Sequence, residues 1–311
     1  MSWPSNQHGW AIAENGNGQR ALLRTTDGGT TWADAGLDAS EAIQVLFADD
    51  TNGWVVGNGL RSTHDGGTTW SAAAVPDLGD AGAVAAAQGT VHVAYIGESS
   101  SALGVASSPV DHDAFVAAPY TIPAGAGPVL DVSMTAGGKY AALIYNDRTF
   151  VGAAQVANGQ WGRWGVKCPD DNPTAGVGLS PQGSNLAVAC GPSGFGDDAP
   201  IVAADLSSGK LKWVTVEPAG GSAQGQAHLV VAAATEAGVR VVGYTKADGT
   251  SEIAASSDGG ATWPSRTPLA GTSPVTVAHL PDGSLLLAVA PNGGLLSHDG
   301  LTWTPVPTVA S

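Results

Sequence analysis

The sequence Thr25-Thr26-Asp27-Gly28-Gly29-Thr30-Thr31-Trp32 returns, with small changes, at residues 63–70, 256–263 and, one residue shorter, 297–303. Each copy, which we call an aspartate turn, places a hydroxyl residue two positions before an aspartate, then a glycine, then Thr-Trp. The Asp-Gly pair predicts a tight hairpin, with glycine at positive φ and the carboxylate accepting backbone N–H groups. The tryptophan then starts the returning strand and packs against a neighbouring layer. The residues given this structural role are Asp27, Trp32, Asp65, Trp70, Asp258, Trp263, Asp299 and Trp303.

The aspartate turns resemble the Asp-box, the bacterial neuraminidase repeat S/T-x-D-x-G-x-T-W of sialidases, related glycosidases and photosystem II assembly-factor-like proteins. Three copies match the pattern in full and the copy at 297–303 lacks one residue. The resemblance implies a β-propeller. It does not select an activity, because one fold carries many functions.

The rest of the chain also indicates strands. Its apolar stretches are 4 to 8 residues long and end in glycine, asparagine, aspartate or proline, which is typical of short strands between turns. The 44 glycines and 19 prolines are spread along the whole length instead of being gathered in one linker. The predicted class is therefore all-β.

The spacing of the aspartate turns predicts the number of blades. Asp65 follows Asp27 by 38 residues, and Asp299 follows Asp258 by 41. The long interval between Asp65 and Asp258 has room for three further hairpins without the full motif, giving seven units of about 44 residues, a length typical of propeller blades. We predict one seven-bladed propeller over residues 1–311, built from four-stranded antiparallel blades. The expected blade limits are 1–38, 39–78, 79–121, 122–170, 171–218, 219–268 and 269–311.

Blade 1 is the predicted exception. Aligning Gly9-Trp10 with Gly53-Trp54 places Trp3 opposite Phe47, which leaves only a stub for the first inner strand. We expect the natural chain to continue upstream of Met1.

Composition excludes several classes of function. The chain has 12 lysines and arginines against 27 aspartates and glutamates, a formal net charge of −15, which argues against nucleic acid and anionic lipid surfaces as partners. With 43% hydrophobic and 13% charged residues, the chain is not of the disordered type. No apolar run approaches the length of roughly 20 residues that a membrane-spanning helix needs. We expect a compact monomer.

Within each predicted blade the strands are labelled A to D from the axis outward. The aspartate turns then share one side, the turn face, with the A–B turns, and the B–C and D–A loops form the opposite side, the loop face. The loop face is predicted to be acidic and to attract cations or basic partners. Its candidate binding residues are Arg20, Asn58, Asp147, Arg148, Asp197, Asp198 and Asp248. We expect no cofactor, although carboxylates such as Asp170 and Asp171 leave a Ca²⁺ site open.

The sialidase resemblance can be tested against the residues that family needs. A sialidase site holds a substrate carboxylate with three arginines and adds a tyrosine nucleophile. None of the arginines here lies on a predicted inner strand, and the Phe-Arg-Ile-Pro signature is missing. Other glycoside hydrolysis remains the alternative function, with Glu14, Glu98 and Asp147 as candidate catalytic carboxylates. Xyloglucanase-like enzymes use similar propellers but place their site between two of them.

The photosystem II assembly-factor-like proteins are similar in size and blade number, and the resemblance implies a docking platform. Their basic patch does not carry over, because the few cations here are scattered. The predicted function is therefore non-catalytic binding of a protein or glycan through the loop face.

Two cysteines, Cys168 and Cys190, lie at predicted strand ends 22 residues apart. We predict a disulfide that staples blade 5, which favours an extracellular or cell-envelope location. The first residues carry neither a basic nor an apolar segment of the kind a signal peptide has. A signal or anchor segment is thus expected to lie outside this sequence.

Overall fold

The structure is a computed structural model of the chain. It describes residues 1–14, 17–98, 102–118, 122–123, 130–136, 140–146, 149–157, 160–164, 168–169, 174–180, 185–191, 201–205, 212–217, 230–246, 249–269, 273–280, 282–290 and 293–306. These residues contain strands and turns but no helix, and so no helix that could span a membrane.

The described strands form seven antiparallel sheets that follow one another along the chain, which we number blades 1 to 7. The first three blades consist of β1 (Gly9–Glu14), β2 (Arg20–Thr25) and β3 (Ala33–Asp38); β4 (Gln44–Phe47), β5 (Gly53–Gly57), β6 (Gly59–Thr63) and β7 (Ser71–Ala72); and β8 (Leu78–Ala87), β9 (Thr90–Gly97), β10 (Ala102–Pro109), β11 (Val116–Ala117) and β12 (Ile122–Pro123).

Blades 4 to 7 have four strands each. They consist of β13 (Leu130–Ala136), β14 (Tyr140–Asn146), β15 (Thr149–Ala157) and β16 (Gln160–Trp164); β17 (Thr174–Leu179), β18 (Leu186–Gly191), β19 (Ile201–Asp205) and β20 (Lys212–Glu217); β21 (Val230–Ala234), β22 (Arg240–Thr245), β23 (Ser251–Ser256) and β24 (Ser265–Leu269); and β25 (Ser273–His279), β26 (Leu285–Ala290), β27 (Gly293–Ser297) and β28 (Thr304–Val306).

Two blades depart from the four-stranded pattern that the sequence predicts. Blade 1 has three strands, in agreement with the predicted stub. Blade 3 has five strands, because its outer strand is split into β11 and β12, and both of these pair with β10. The sheet of blade 3 spans residues 78–123, one residue before and two after the predicted limits.

Apolar side chains on the facing sheets join neighbouring blades. Trp54 and Val56 of β5 pack in one buried cluster with Val91 and Val93 of β9, which links blades 2 and 3. Similar buried clusters link blades 5 and 6 and blades 6 and 7. Every residue of β22 is buried, because sheets cover both faces of this strand. The core is therefore a set of layers between blades.

The aspartate turn of blade 2 shows how the repeated motif fixes its hairpin. Asp65 Oδ1 accepts the backbone N–H of Thr69 at 2.9 Å, and Oδ2 accepts the Thr69 hydroxyl at 2.6 Å. The Thr63 hydroxyl donates to Asp65 at 2.8 Å and accepts the N–H of Gly67 at 2.9 Å. Gly66 and Gly67 have φ of 70° and 82°, which glycine adopts without strain. These hydrogen bonds, the one from the Thr69 hydroxyl foremost, lower the pKa of Asp65 to about 2.

The other aspartate turns repeat this arrangement with small differences. The pKa values of Asp27 and Asp258 are also lowered to about 2, chiefly by hydrogen bonds from the threonine four residues on. The pKa of Asp299 is lowered mainly by backbone hydrogen bonds. The indole N–H groups of Trp32 and Trp263 donate to the carbonyls of Gly29 and Gly260. The remaining two tryptophans, which lie half-buried just before the outer strands of blades 2 and 7, are Trp70 and Trp303.

Blade 1 has a single bridge in place of its inner strand. Ser2 donates its N–H to the Trp10 carbonyl at 2.8 Å, and the Trp10 N–H donates to the Ser2 carbonyl at 2.9 Å. Trp10 is fully buried and stacks on Phe47 of β4 with 3.6 Å between ring centroids. Blade 1 thus contacts blade 2 through this aromatic pair and through a buried cluster that also includes Leu22 and Val45.

Candidate functional site

On the loop face, the structure brings two of the predicted residues together. Arg20 Nε donates to Glu14 Oε2 at 2.9 Å, and Arg20 Nη1 donates to the Ala42 carbonyl at 3.0 Å. Both side chains are partly exposed, Glu14 by 52% and Arg20 by 36%. Asn58, between β5 and β6, and Glu98, directly after β9, are exposed. Asp147, Arg148, Asp170, Asp171, Asp197, Asp198 and Asp248 lie outside the described residues.

A denser polar group lies between blades 5 and 6. Glu217 ends β20, Tyr244 lies near the end of β22, Lys246 follows β22, Glu252 is the second residue of β23, and Arg266 lies in β24. Because β20 and β22 end, and β23 begins, on the side of the B–C and D–A loops, the group belongs to the loop face. We call these five residues the Tyr244 cluster.

The hydroxyl of Tyr244 is the centre of the cluster. It lies 3.0 Å from Oε2 of Glu252 and 3.2 Å from Oε2 of Glu217, and it accepts a hydrogen bond from Arg266 Nη1. Lys246 Nζ lies 2.7 Å from Glu252 Oε2 and 3.6 Å from Glu217 Oε1. Two carboxylates and two cations therefore balance in charge around one phenol.

This arrangement contains the residue types of a glycosidase site, because two carboxylates lie near a potential tyrosine nucleophile. The tyrosine is unsuited to that role. Tyr244 is fully buried, and burial raises its pKa above the ordinary value of a phenol, whereas a nucleophile is activated by a lowered pKa or an adjacent base. The carboxylates are in turn held by Lys246 and Arg266. Chemically, the cluster is suited to joining two blades.

None of the five residues of the Tyr244 cluster is among the loop-face candidates predicted from the sequence. Nothing local in the sequence marks them, because Glu217 and Tyr244 are 27 residues apart and belong to different sheets.

Within the described ranges, no group of three or more histidine, cysteine, aspartate or glutamate side chains could hold a metal ion. Asp170 and Asp171, the predicted Ca²⁺ candidates, are outside those ranges. The two cysteines form a disulfide: Cys168 leads into blade 5, Cys190 lies in β18, and their Cα atoms are 5.8 Å apart. Both are buried, so the bond ties the entry of blade 5 to its second strand.

No protein-family model matches the chain, and no curated protein does. Solved structures do resemble it. YCF48 bound to a D1 peptide is 18% identical with a TM-score of 0.57, over 95% of this chain and 86% of that chain. The lectin BP39L from Burkholderia pseudomallei is 15% identical with a TM-score of 0.63, over 99% and 97%. A prolyl endopeptidase is 16% identical with a TM-score of 0.59, over 97% of this chain but 47% of that chain.

These likenesses show a β-propeller. They confirm the all-β class predicted from the sequence. At these identities they concern the fold alone, since propellers bind peptides in one case, act as lectins in another and form part of a peptidase in a third. What this chain does has to be argued from its own residues.

Proposed function

We propose that the protein is a non-catalytic binding propeller that recognises a protein or glycan partner through the loop face. The observation that carries the proposal is the pairing of three loop-face carboxylates: Glu14 is held by Arg20, and Glu217 and Glu252 are held in the Tyr244 cluster. A glycosidase needs two carboxyl groups that are free to face the scissile bond. The side chains of Glu14, Glu217 and Glu252 are instead engaged by cations of the protein itself.

The exposed acidic side chains of the loop face support recognition of a basic partner. Glu41 and Glu98 are exposed there without a recorded ion pair in the described part of the chain. Such charges act mainly on the rate and specificity of association. The likeness to YCF48 with its D1 peptide and to a lectin supports a binding role, with the partner class left to experiment.

We further propose an extracellular or cell-envelope location. The disulfide between Cys168 and Cys190 supports it, because disulfides persist in oxidising compartments and are rare in the cytosol.

Two measurements test the proposed function. The purified chain is first assayed against a panel of aryl glycosides, sialosides included, with and without Ca²⁺, and we expect no turnover above buffer. Turnover abolished by Glu14→Gln, Glu98→Gln or Asp147→Asn would overturn the proposal in favour of a glycoside hydrolase.

The second measurement is binding to arrayed glycans and arrayed basic peptides. We expect saturable hits that weaken in the double variant Glu41→Lys/Glu98→Lys. The matched control is Asp111→Lys, which reverses an exposed charge in the turn between β10 and β11, on the turn face. Hits that weaken equally in the control, or the absence of any hit, would contradict recognition through the loop face.

A further inference from the structure

Two of the asparagine–glycine pairs in the sequence lie at opposite ends of β5. Asn52-Gly53 stands where the strand begins, and Asn58-Gly59 stands where it ends. Asparagine is a thermolabile residue, because the backbone nitrogen of the next residue can attack its side-chain amide. Glycine as that next residue permits the attack most readily, since it has no Cβ to hinder a close approach. The two pairs therefore carry the same chemistry, and their surroundings decide whether it proceeds.

The side-chain amide of Asn52 is held by hydrogen bonds on both of its polar atoms. Its Nδ2 donates to Oδ2 of Asp49 at 2.9 Å and to the Thr51 hydroxyl at 3.0 Å. Its Oδ1 lies 2.7 Å from Nδ1 of His64, in the aspartate turn of blade 2. For the amide to turn towards the next peptide nitrogen, these hydrogen bonds would have to break, so the local structure opposes the attack.

The glycine that follows Asn52 is enclosed by the sheet. Gly53 is buried and pairs with Phe47 of β4 on one side and with Thr63 of β6 on the other. A Cβ at Gly53 would lie 2.5 Å from the ring of Phe47, so this ring packs directly against the glycine backbone. The nucleophile of this pair is thus as firmly placed as its amide.

Asn58 is exposed at the tip of a hairpin. It alone joins β5 to β6, with Gly57 before it and Gly59 after it. Within the described residues its side chain makes no hydrogen bond. Gly59 has a φ of 88°, and a Cβ there would meet nothing within 4 Å. The amide of Asn58 and the nitrogen of Gly59 can therefore approach each other without breaking side-chain contacts.

We propose that Asn58 is a site of spontaneous deamidation and that the fold protects Asn52 from the same reaction. The nitrogen of Gly59 forms a bond to Cγ of Asn58 while the bond from Cγ to Nδ2 breaks. The Gly59 proton leaves with the amide nitrogen as ammonia, and a cyclic succinimide remains. Water then opens the ring at either carbonyl, which yields aspartate or isoaspartate. Water is the co-reactant, and no atom changes its oxidation state.

The reaction changes the charge of the loop face, to which Asn58 belongs. The hairpin tip packs against the segment that contains Glu41, since a Cβ at Gly57 would meet the Glu41 carbonyl oxygen at 2.7 Å. Glu41 is itself exposed, so the new carboxylate adds to an acidic patch and strengthens its potential for cations. This inference goes beyond the proposed function, because it concerns the chain's own chemistry and needs no partner.

Peptide mapping of the folded 311-residue chain tests the inference. The protein is incubated in mildly alkaline buffer at physiological temperature, and samples taken over time are digested with trypsin and sequenced by mass spectrometry. Cleavage after Arg24 and Arg61 gives one peptide, residues 25–61, that contains both asparagines, so both are read in the same digest. We expect conversion at Asn58 to be more than about tenfold faster than at Asn52, whose hydrogen bonds must open first.

Two controls separate structure from sequence. In urea the hydrogen bonds of Asn52 are lost, and we expect the two asparagines to react at similar rates because each precedes a glycine. Asn58→Gln keeps an exposed amide but moves it one methylene away from the Gly59 nitrogen, and we expect residues 25–61 to stay unmodified in the folded variant. No conversion at Asn58 in the folded chain, equal rates at the two asparagines there, or a difference that persists in urea would overturn the inference.

Discussion

The hydroxyl of Tyr244 lies 3.0 Å from Oε2 of Glu252, on the next strand of the same blade, and 3.2 Å from Oε2 of Glu217, on the outer strand of the preceding blade. One buried oxygen thus connects two sheets. Lys246 and Arg266 compensate the charge of the two carboxylates. Removing the hydroxyl takes a hydrogen-bond partner from Glu217, Glu252 and Arg266, which are only partly exposed.

We therefore expect Tyr244→Phe to lower the free energy of unfolding by about 1 to 2 kcal/mol, since it deletes the shared hydroxyl and keeps the ring. Urea denaturation of both proteins measures the difference. The matched control is Tyr95→Phe, because Tyr95 is also buried but its hydroxyl makes no hydrogen bond within the described residues. Equal losses in the two variants would contradict a special role for the cluster.

The aspartate turns should make stability depend on acidity. The pKa of Asp65 is about 2 in the folded protein and near 3.8 when unfolded, so unfolding binds a proton between these values. The stabilising contribution is present above about pH 4 and is lost as the pH falls towards 2. We expect Asp65→Asn to lower the melting temperature by a few degrees at pH 6 and by progressively less towards pH 2.

Variants of two threonines in this turn distinguish the contribution of the Asp65 carboxylate from that of the Asp65 backbone carbonyl. The Thr69 hydroxyl donates to the Asp65 carboxylate, whereas the Thr68 hydroxyl donates to the Asp65 carbonyl. We expect Thr69→Val to reduce the pH dependence of the melting temperature, and Thr68→Val to leave that dependence unchanged. A dependence that survives in Thr69→Val and Asp65→Asn would show that it arises elsewhere.

His92 should give a second pH dependence at milder acidity. It is 7% exposed in blade 3, hydrogen-bonded to Ser107, and burial lowers its pKa to about 4. The unfolded histidine binds a proton below about pH 6.5 and the folded one does not. Stability therefore falls as the pH drops from 6.5 to 4, by up to roughly 3 kcal/mol. In His92→Gln we expect the urea midpoint to change less with pH between 6.5 and 4. Above pH 7 the midpoints of wild type and variant should change with pH in the same way.

The disulfide should be a main stabiliser of blade 5. Cys168 and Cys190 close a loop with a sequence separation of 22, for which chain entropy gives about 3 kcal/mol. We expect a reducing agent to lower the melting temperature of the wild type markedly. The Cys168→Ala/Cys190→Ala variant should melt at the temperature at which the wild type melts in the presence of the reducing agent. Adding the reducing agent should not change the melting temperature of this variant. A wild type that is indifferent to reduction would refute this.

The sequence predicts what is local in the structure. All partners of Asp65 in its turn lie within four residues of it, so the motif itself contains the geometry. The departure of blade 1 is also predictable, because aligning Trp10 with Trp54 places Trp3 opposite Phe47. Both inferences compare one repeat with another.

Contacts between repeats are harder to predict. The side chain of Gln44 hydrogen-bonds to the backbone of Val84, 40 residues away, and that of Ser2 to the backbone of Phe47, 45 residues away. Because one donor is a glutamine and the other a serine, no repeated sequence motif predicts these contacts. The splitting of the outer strand of blade 3 into β11 and β12 is not predicted from the sequence either. In each case the deciding neighbour is supplied by another strand, so its identity depends on register and packing that the sequence alone does not show.

The single bridge of blade 1 has a consequence for amide exchange. The inner strands of blades 2 to 7 are each held to the next strand of their own sheet by four or more residue pairs. Ser2 is held to β1 by one pair, with Trp10. Its amide is therefore expected to exchange with solvent sooner than the ladder amides of the other inner strands.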